Sequence, residues 1–215
     1  SLSPSSTYEN ITPIGPSRNN IFSMQVTPTQ LWAVYGDYDT FYNPYPLDDF
    51  GISKFTTSGW LNIPYDKVFG AKSMSRIAVN PTNEKEVYAS SFFSGLLKIE
   101  EDIPTILYNQ TNSGLESLTI SPPDPNYIDI RINGTAFDKS GNFWVTNCRV
   151  VNGLKVLSSS GQWKSYAMDK ILSDYNSNDF ATMVIDKYGT KWIATNKNGV
   201  IGFNESSNTF KKITF

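Results

Sequence analysis

Apolar and polar residues alternate along this chain in short runs, and turn-forming residues separate these runs. The clearest runs cover residues 134–137, 142–146, 153–157 and 162–166. A period of two is typical of β-strands, because successive side chains point to opposite faces of a sheet. No window keeps the 3.6-residue apolar spacing of a helix, and only short helical turns are expected, at 84–86 and 169–176. The pattern predicts an all-β protein.

A repeated motif organises these strands into units. An apolar residue followed by Asp-x-x-Gly-x-x-Trp occurs twice, with the two tryptophans 48 residues apart. The motif residues are Asp138, Gly141 and Trp144 in one unit and Asp186, Gly189 and Trp192 in the next. The aspartate of such a turn accepts hydrogen bonds from nearby backbone amides, and the glycine supplies a positive φ angle. We therefore assign these six residues structural roles, and not roles as paired catalytic carboxylates.

Two weaker copies of the unit lie upstream. Tyr88 takes the tryptophan position in the second unit, and Trp32 anchors the first. Four units of roughly 50 residues, each with room for four short strands, are typical of β-propeller blades. The predicted blades cover approximately residues 20–65, 72–115, 130–168 and 180–215. Residues 1–19 are interpreted as a lead-in that contains a possible outer strand of a preceding blade, so the chain is predicted to be an incomplete arc of a larger propeller.

The motif resembles the two-component regulator propeller repeat, whose pattern is roughly D-x-x-G-x-x-W-[IV]-x-T. The fourth unit matches it fully through Thr195, and the third has its threonine one place early, at Thr146. Propellers of that family usually have seven blades and form the extracytoplasmic sensors of hybrid two-component systems in Bacteroidetes-type bacteria. The resemblance implies recognition of polysaccharide-derived ligands.

A second resemblance rests on the stretch 127–138, together with residues 31–34 and the long loop that follows them. These segments are similar to the propellers of the type IX secretion surface machinery. That resemblance implies a place in the complex that attaches anionic lipopolysaccharide to exported cargo.

Composition narrows the classes of function. The 215 residues include no histidine and a single cysteine, Cys148, which excludes a Ser-His-Asp triad, histidine zinc sites and an internal disulfide. A net charge of −2 does not indicate the excess of Lys and Arg that nucleic-acid-binding domains usually carry. No apolar run reaches the ~20 residues of a membrane-spanning helix. We expect a non-enzymatic domain without metal or cofactor, in the periplasm or on the outer cell surface.

The first group of candidate binding residues lies in and directly before a long excursion, residues 36–50, between the second and third strands of the first unit. In a propeller these connections and those between blades gather at one end, here called the mouth. Aromatic rings beside carboxylates and amides suit sugars, and an arginine suits an anionic group. The candidates are Tyr35, Asp37, Tyr38, Tyr42, Tyr45, Phe92, Phe93, Asn147 and Arg149. In the alternative interpretation the rings only pack the loop onto its own blade, and Arg149 has no ligand.

Three functions remain open at this point. The first is a recognition module for a glycan or anionic lipopolysaccharide, as a sensor or as secretion machinery. The second is a scaffold that binds other propeller blades or proteins, and the third is a propeller hydrolase or lyase. An open arc exposes apolar blade faces, so self-association is also expected.

Overall fold

The computed structural model describes residues 14–214, which form sixteen β-strands in four consecutive groups of four. The first blade contains β1 (Ser23–Val26), β2 (Gln30–Val34), β3 (Ile52–Thr56) and β4 (Gly59–Ile63). The second contains β5 (Met74–Val79), β6 (Glu86–Phe93), β7 (Gly95–Glu100) and β8 (Ile103–Tyr108). The third contains β9 (Ile130–Phe137), β10 (Phe143–Asn147), β11 (Leu154–Leu157) and β12 (Trp163–Tyr166). The fourth contains β13 (Phe180–Ile185), β14 (Lys191–Thr195), β15 (Val200–Asn204) and β16 (Thr209–Ile213).

Within each blade the strands pair antiparallel in chain order, and the first strands of successive blades contact one another. The blades therefore stand side by side around one axis, which confirms the all-β propeller and its incomplete arc. The described residues include two 3₁₀ helices, Tyr65–Lys67 and Tyr175–Ser177. The expected helical turn at 84–86 is wrong, because a tight turn leads there directly into β6. The proposed outer strand near residues 11–15 lies mostly outside the described residues.

Blades 2 and 3 are joined by an additional strand pairing. Phe92 and Phe93 at the end of β6 pair with Arg131 and Ile130 at the start of β9, so the two blades share one eight-stranded sheet. The sequence places Phe92 and Phe93 in a loop equivalent to that of residues 147–149. The structure instead puts both of them in β6, and it puts Asn147 at the end of β10. The pairing brings the first strand of blade 3 directly beside the mouth end of blade 2.

The hydrophobic core lies in the three seams between blades. Each blade places one aromatic residue of its second strand on the same face, which meets the next blade in blades 1 to 3. This residue is Trp32, Tyr88, Trp144 or Trp192 in blades 1 to 4. Trp144 is fully buried, stacks near Tyr166, and lies under Phe203 and the Lys191 ammonium of blade 4.

The repeated aspartate turn anchors two of these rings. Asp138 Oδ1 accepts hydrogen bonds from the amides of Ser140 (2.9 Å) and Asn142 (3.0 Å), and its Oδ2 accepts from Trp144 Nε1 at 2.8 Å. Asp186 repeats this arrangement, with Trp192 Nε1 at 3.0 Å. The turn glycines have φ angles of 78° and 83°, which non-glycine residues rarely adopt. One carboxylate thus fixes both a turn and the ring that fills a seam.

The first two blades lack the bond between an aspartate turn and a tryptophan ring. In blade 1, Thr27 stands in the turn, and the buried Nε1 of Trp32 has no hydrogen-bond partner among the described residues. In blade 2, Tyr88 donates its hydroxyl hydrogen to Glu86 Oε1 at 3.0 Å. These differences explain why the motif is weak in the upstream units although the sheet register is the same.

The two ends of the arc expose apolar residues. On the outer face of blade 4, Val184 and Ile213 are both 56% exposed, and on that of blade 1, Val26 is 71% exposed. Part of the blade 1 face is covered by the lead-in, because Ser17 contacts Ser53 and Asn62 Nδ2 donates to the Gly15 carbonyl. The seams inside the arc have no comparable exposure.

We expect Asp138→Ala to lower the free energy of unfolding by about 2 kcal/mol, because four donor groups lose a charged acceptor. Burial acts to raise the pKa of Asp138, but hydrogen bonds from Trp144 and Asn142 outweigh it and hold the pKa below its ordinary value. The carboxylate therefore stabilises the fold above its unfolded-state pKa, and this contribution is lost as the pH falls through the folded-state pKa. Urea denaturation of both proteins at pH 7 and pH 3 measures the difference, which should be smaller at pH 3.

Ser140→Ala is the control, since Ser140 is exposed in the same turn and contributes only its backbone amide. Its effect should stay within about 0.5 kcal/mol. A loss as large as that of Asp138→Ala, or one independent of pH, would contradict the anchoring role of the carboxylate.

Candidate functional site

The excursion leaves blade 1 and runs over the mouth end of blade 2. The amide of Gly36 donates to the Met74 carbonyl at 2.9 Å, and a Cβ atom at Gly36 would lie only 2.3 Å from the Met74 amide nitrogen. Only glycine permits this approach of two backbones. The loop is thereby directed away from its own blade and toward the axis of the arc.

Tyr38 fixes the excursion to blades 2 and 3 directly, and to blade 4 through Asn133. Its hydroxyl oxygen accepts hydrogen bonds from Arg76 Nη2 and Asn133 Nδ2, both at 2.9 Å. Asn133 Nδ2 also donates to the Phe180 carbonyl at 2.8 Å, and Arg76 Nε donates to Asn133 Oδ1 at 3.0 Å. Because Arg76, Asn133 and Phe180 belong to the first strands of blades 2, 3 and 4, one tyrosine connects the whole arc at its axis.

β-bulges place these partners. The register of the first strand shifts between Met74 and Arg76 in blade 2, and opposite residues 145–147 in blade 3. A bulge re-aims nearby side chains and is frequent next to binding sites. Here it accompanies the two side chains, Arg76 and Asn133, that reach Tyr38.

Aromatic rings pack beneath the excursion. Tyr38 and Tyr42 stack with their ring centroids 5.0 Å apart, and Phe92 lies 4.5 Å from Tyr38. Phe92 is fully buried, while Tyr38 and Tyr42 are half-buried. Tyr38 also meets Phe22, which adjoins β1 of its own blade, edge-on at 5.1 Å between ring centroids. The rings therefore pack the excursion onto its own blade, as the alternative interpretation proposed, and also onto Phe92 of blade 2.

Two buried ion pairs support the mouth. Arg131 binds Asp129 through Nε and Nη2, with a shortest distance of 2.7 Å, and its Nη1 donates to the Tyr42 carbonyl at 3.0 Å. Arg149 binds Asp179 through Nε and Nη2, with a shortest distance of 2.6 Å. Both carboxylates are fully buried. The carboxylate ligand of Arg149 therefore comes from the chain itself.

The predicted site residues divide into two groups. Tyr35, Phe92 and Asn147 are at most 1% exposed, so they lie under the mouth and not on its surface. Tyr38, Tyr42 and Arg149 are half-buried and hold the excursion or Asp179. Tyr45, Phe93 and Asp37 retain access to solvent, with Tyr45 46% exposed.

The accessible aromatic surface includes a residue that the sequence did not single out. The Tyr127 hydroxyl lies 3.0 Å from that of Tyr45 and donates to Asp129 Oδ2 at 3.1 Å. Phe93 meets Tyr45 edge-on at 6.0 Å between ring centroids. We call Tyr45, Phe93 and Tyr127 the mouth cluster. The sequence marked Tyr127 only by its position in the proline-rich insertion 116–129 between units 2 and 3, and at the start of the stretch 127–138 that carries the second resemblance.

Cys148 is fully buried between β10 and β13, and its sulfur accepts from the Phe180 amide at 3.4 Å. Burial raises the pKa of its thiol well above the ordinary value. The thiol therefore stays protonated at neutral pH, which agrees with a packing role.

The chain is similar to several solved propeller structures. One is PorZ, an essential surface component of the type IX secretion system of Porphyromonas gingivalis (TM-score 0.77, 18% identity). The match covers 96% of this chain and 28% of PorZ. Another is the extracellular domain of a putative hybrid two-component system of B. thetaiotaomicron (TM-score 0.61, 15% identity, 98% of this chain and 25% of that chain). Both kinds of protein that the sequence resembles are thus represented.

Streptogramin B lyase is also similar, with a TM-score of 0.61 and 13% identity over 91% of this chain and 55% of the lyase. At these identities the similarity shows the propeller fold alone. The chain spans about a quarter of the length of the secretion and sensor proteins. No protein-family profile and no curated protein matches the sequence.

Two further observations concern the described residues only. Between residues 14 and 214 no helix is long and apolar enough to cross a membrane. Over the same range no three acidic or cysteine side chains come close enough together to hold a metal ion.

We expect Arg149→Met to lower the free energy of unfolding by about 3 kcal/mol at pH 7, because the buried carboxylate of Asp179 loses its partner. Burial already raises the pKa of Asp179, although Arg149 and Arg131 lower it. Since a raised carboxyl pKa gives stability that is lost as the pH rises through it, removing Arg149 should cost less at pH 4 than at pH 7. Urea denaturation at the two pH values measures this.

The double variant Arg149→Met/Asp179→Asn removes the uncompensated charge together with its partner. It should recover part of the stability lost in the single variant at pH 7. Additive losses from the two substitutions would show that the pair is not coupled.

Proposed function

We propose that the protein is a non-catalytic recognition module outside the cytoplasm that binds a neutral glycan at the mouth cluster. The carrying observation is that Tyr45, Phe93 and Tyr127, from three separate segments, meet at the mouth with solvent access. Flat apolar surfaces beside a few fixed polar groups are typical of small-ligand sites. The similar surface and extracellular propellers support a place in the periplasm or on the cell surface, in a sensor or in secretion machinery.

The charges at the mouth favour a neutral ligand over an anionic one. Arg131 and Arg149 are each held bidentately by a buried aspartate of the chain. Arg76 donates to Asn133 and to the Tyr38 hydroxyl beneath the excursion. Asp37, Asp39 and Asp49 are exposed in the excursion and add negative charge there. An anionic lipopolysaccharide group would have to displace an internal carboxylate or approach these aspartates.

The titration behaviour of the tyrosines supports a non-catalytic role. With no histidine in the chain, a tyrosinate is one of the bases that a lyase mechanism could use here. Burial raises the pKa values of Tyr42, Tyr88 and Tyr127 above the ordinary value. These phenols remain protonated at neutral pH and are poor bases.

Titration with neutral hexasaccharides, such as cellohexaose and laminarihexaose, tests the proposal by thermal shift and intrinsic fluorescence. We expect saturable binding of at least one of them, and a loss of at least tenfold in affinity, about 1.4 kcal/mol, for Tyr45→Ala. Tyr45 is chosen because its ring is exposed and its loss leaves the core intact.

Tyr188→Ala is the matched control, because Tyr188 is an exposed tyrosine (75%) in a turn at the opposite end of blade 4. Its glycan affinity should equal that of the wild type. Binding of lipopolysaccharide fragments but of no neutral glycan, or equal loss in both variants, would contradict the proposal.

A scaffold role is the second candidate, and the exposed apolar faces of blades 1 and 4 favour it. In blade 3, the face that carries Trp144 is equivalent to the Trp192 face of blade 4, and it is covered by Phe203 and Lys191 of the next blade. If the faces associate, light scattering should show a mass that rises with concentration and falls in Val184→Lys. Phe41→Lys, which removes an 82% exposed ring at the mouth, should leave the mass unchanged. A monomer at all concentrations would count against self-association.

A further inference from the structure

A cavity of about 370 Å³ opens between blades 2 and 3 at the end opposite the mouth. It is bounded by the turns at 80–82, 139–141 and 158–161. The side chains that form its walls are Glu86, Tyr88, Lys98, Tyr108, Phe137 and Phe143. No function considered above uses this space.

The cavity coincides with a break in the repeat. At this position the other two seams contain Trp32 and Trp144, both fully buried. The seam between blades 2 and 3 has Tyr88, which pairs with Ala78 and Lys98 as Trp144 pairs with Ala136 and Val156. A phenol ring is smaller than an indole, so this seam is underfilled where its neighbours are closed.

The walls of the cavity combine aromatic surface with a carboxylate acceptor. Tyr88 stacks on Phe143 with ring centroids 4.4 Å apart, and Phe137 lies 4.6 Å from Phe143. The Tyr108 and Phe137 rings are half-buried and bound the opening. Such walls accept a flat ring in offset or edge-to-face contact.

The charges in the cavity compensate each other. Glu86 accepts hydrogen bonds from Asn80 Nδ2 and the Tyr88 hydroxyl, and the Lys98 ammonium lies 3.3 Å from Glu86 and 2.9 Å from Glu100. Burial acts to raise the pKa of Glu86, but these partners outweigh it and keep the pKa below its ordinary value. Lys139 also lines the cavity and donates to the Lys187 carbonyl at 3.0 Å. Lys98 and Lys139 together balance the charges of Glu86 and Glu100, so no net charge selects a charged ligand, while the Glu86 carboxylate remains as an acceptor for a ring N–H.

We propose that this seam is a second binding site, independent of the mouth, for a neutral planar aromatic molecule of the indole class. The ligand occupies the space that tryptophan fills in the neighbouring seams, with its ring against Tyr88 and Phe137 and its N–H toward Glu86. The N–H of the bound ligand would then donate to a carboxylate, as the indole N–H of Trp144 donates to Asp138 within blade 3. The volume, near the lower end of small-molecule sites, fits a ligand of one or two fused rings.

Indole itself is the probe, and saturation-transfer NMR with the whole chain measures its binding. We expect saturable binding with a dissociation constant of about 1 mM, an ordinary efficiency for nine heavy atoms. Tyr88→Trp fills the cavity from within and should weaken indole binding at least tenfold. Glucose, which has the size but not the flat aromatic face, should not bind at this site.

A second variant keeps the test valid if the Tyr88→Trp protein does not fold. Ser159→Trp places a bulky ring on an exposed turn at the cavity opening and should also block indole. Ser58→Trp, in the corresponding exposed turn of blade 1, is the matched control and should bind like the wild type. Tyr45→Ala should also bind indole normally, which separates this site from the mouth.

Absence of saturable indole binding up to its solubility limit overturns the proposal. So does binding that survives both Tyr88→Trp and Ser159→Trp, since the ligand must then lie elsewhere. Binding of glucose with the same sensitivity to these variants overturns the assignment to a planar aromatic class.

Discussion

The structure depends on one repeated interaction, in which an aromatic side chain of a blade's second strand packs against the face of the following blade. Trp144 shows it in full, with its ring buried against Phe203 and Lys191 and its N–H held by Asp138. The interaction couples a local turn to the contact between blades, because the same carboxylate orders both. Most of the hydrophobic core lies between the blades. How completely each seam is filled therefore depends on the aromatic residue in the second strand.

Much of this could be predicted from the sequence, because an aspartate turn and its tryptophan are local in the chain. The strands of the third unit and the structural role of Asp186 needed no knowledge of distant contacts. The path of the excursion was not predictable in the same way. Tyr38 finds Asn133 across 95 residues, and the pairing of Phe92 with Arg131 depends on how two blades meet. Their residue types indicated possible binding residues. Residue type alone does not show whether a side chain is buried beneath the mouth or exposed on its surface.

The excursion holds the blades together at the axis, as the aromatic seams hold neighbouring blades together. Tyr38 bonds to the first strands of blades 2 and 3, and Asn133 extends this network to the first strand of blade 4. Arg131 adds a contact to the Tyr42 carbonyl from a side chain that is itself held by Asp129. The rings and arginines that look like binding residues in the sequence therefore contact one another, and only the outer rings remain accessible to solvent.

The two ends of the molecule consequently differ in their chemistry. At the mouth, buried ion pairs and hydrogen bonds hold a preformed surface, and its accessible rings arise from three segments that meet only in the folded chain. At the opposite end the turns are short and repetitive, and chemical variety comes from a change at one repeat position. Tyr88 in place of tryptophan keeps the sheet register yet leaves space beside a carboxylate. In a repeat fold, the most informative positions are therefore those where a unit departs from its neighbours without losing the register that they share.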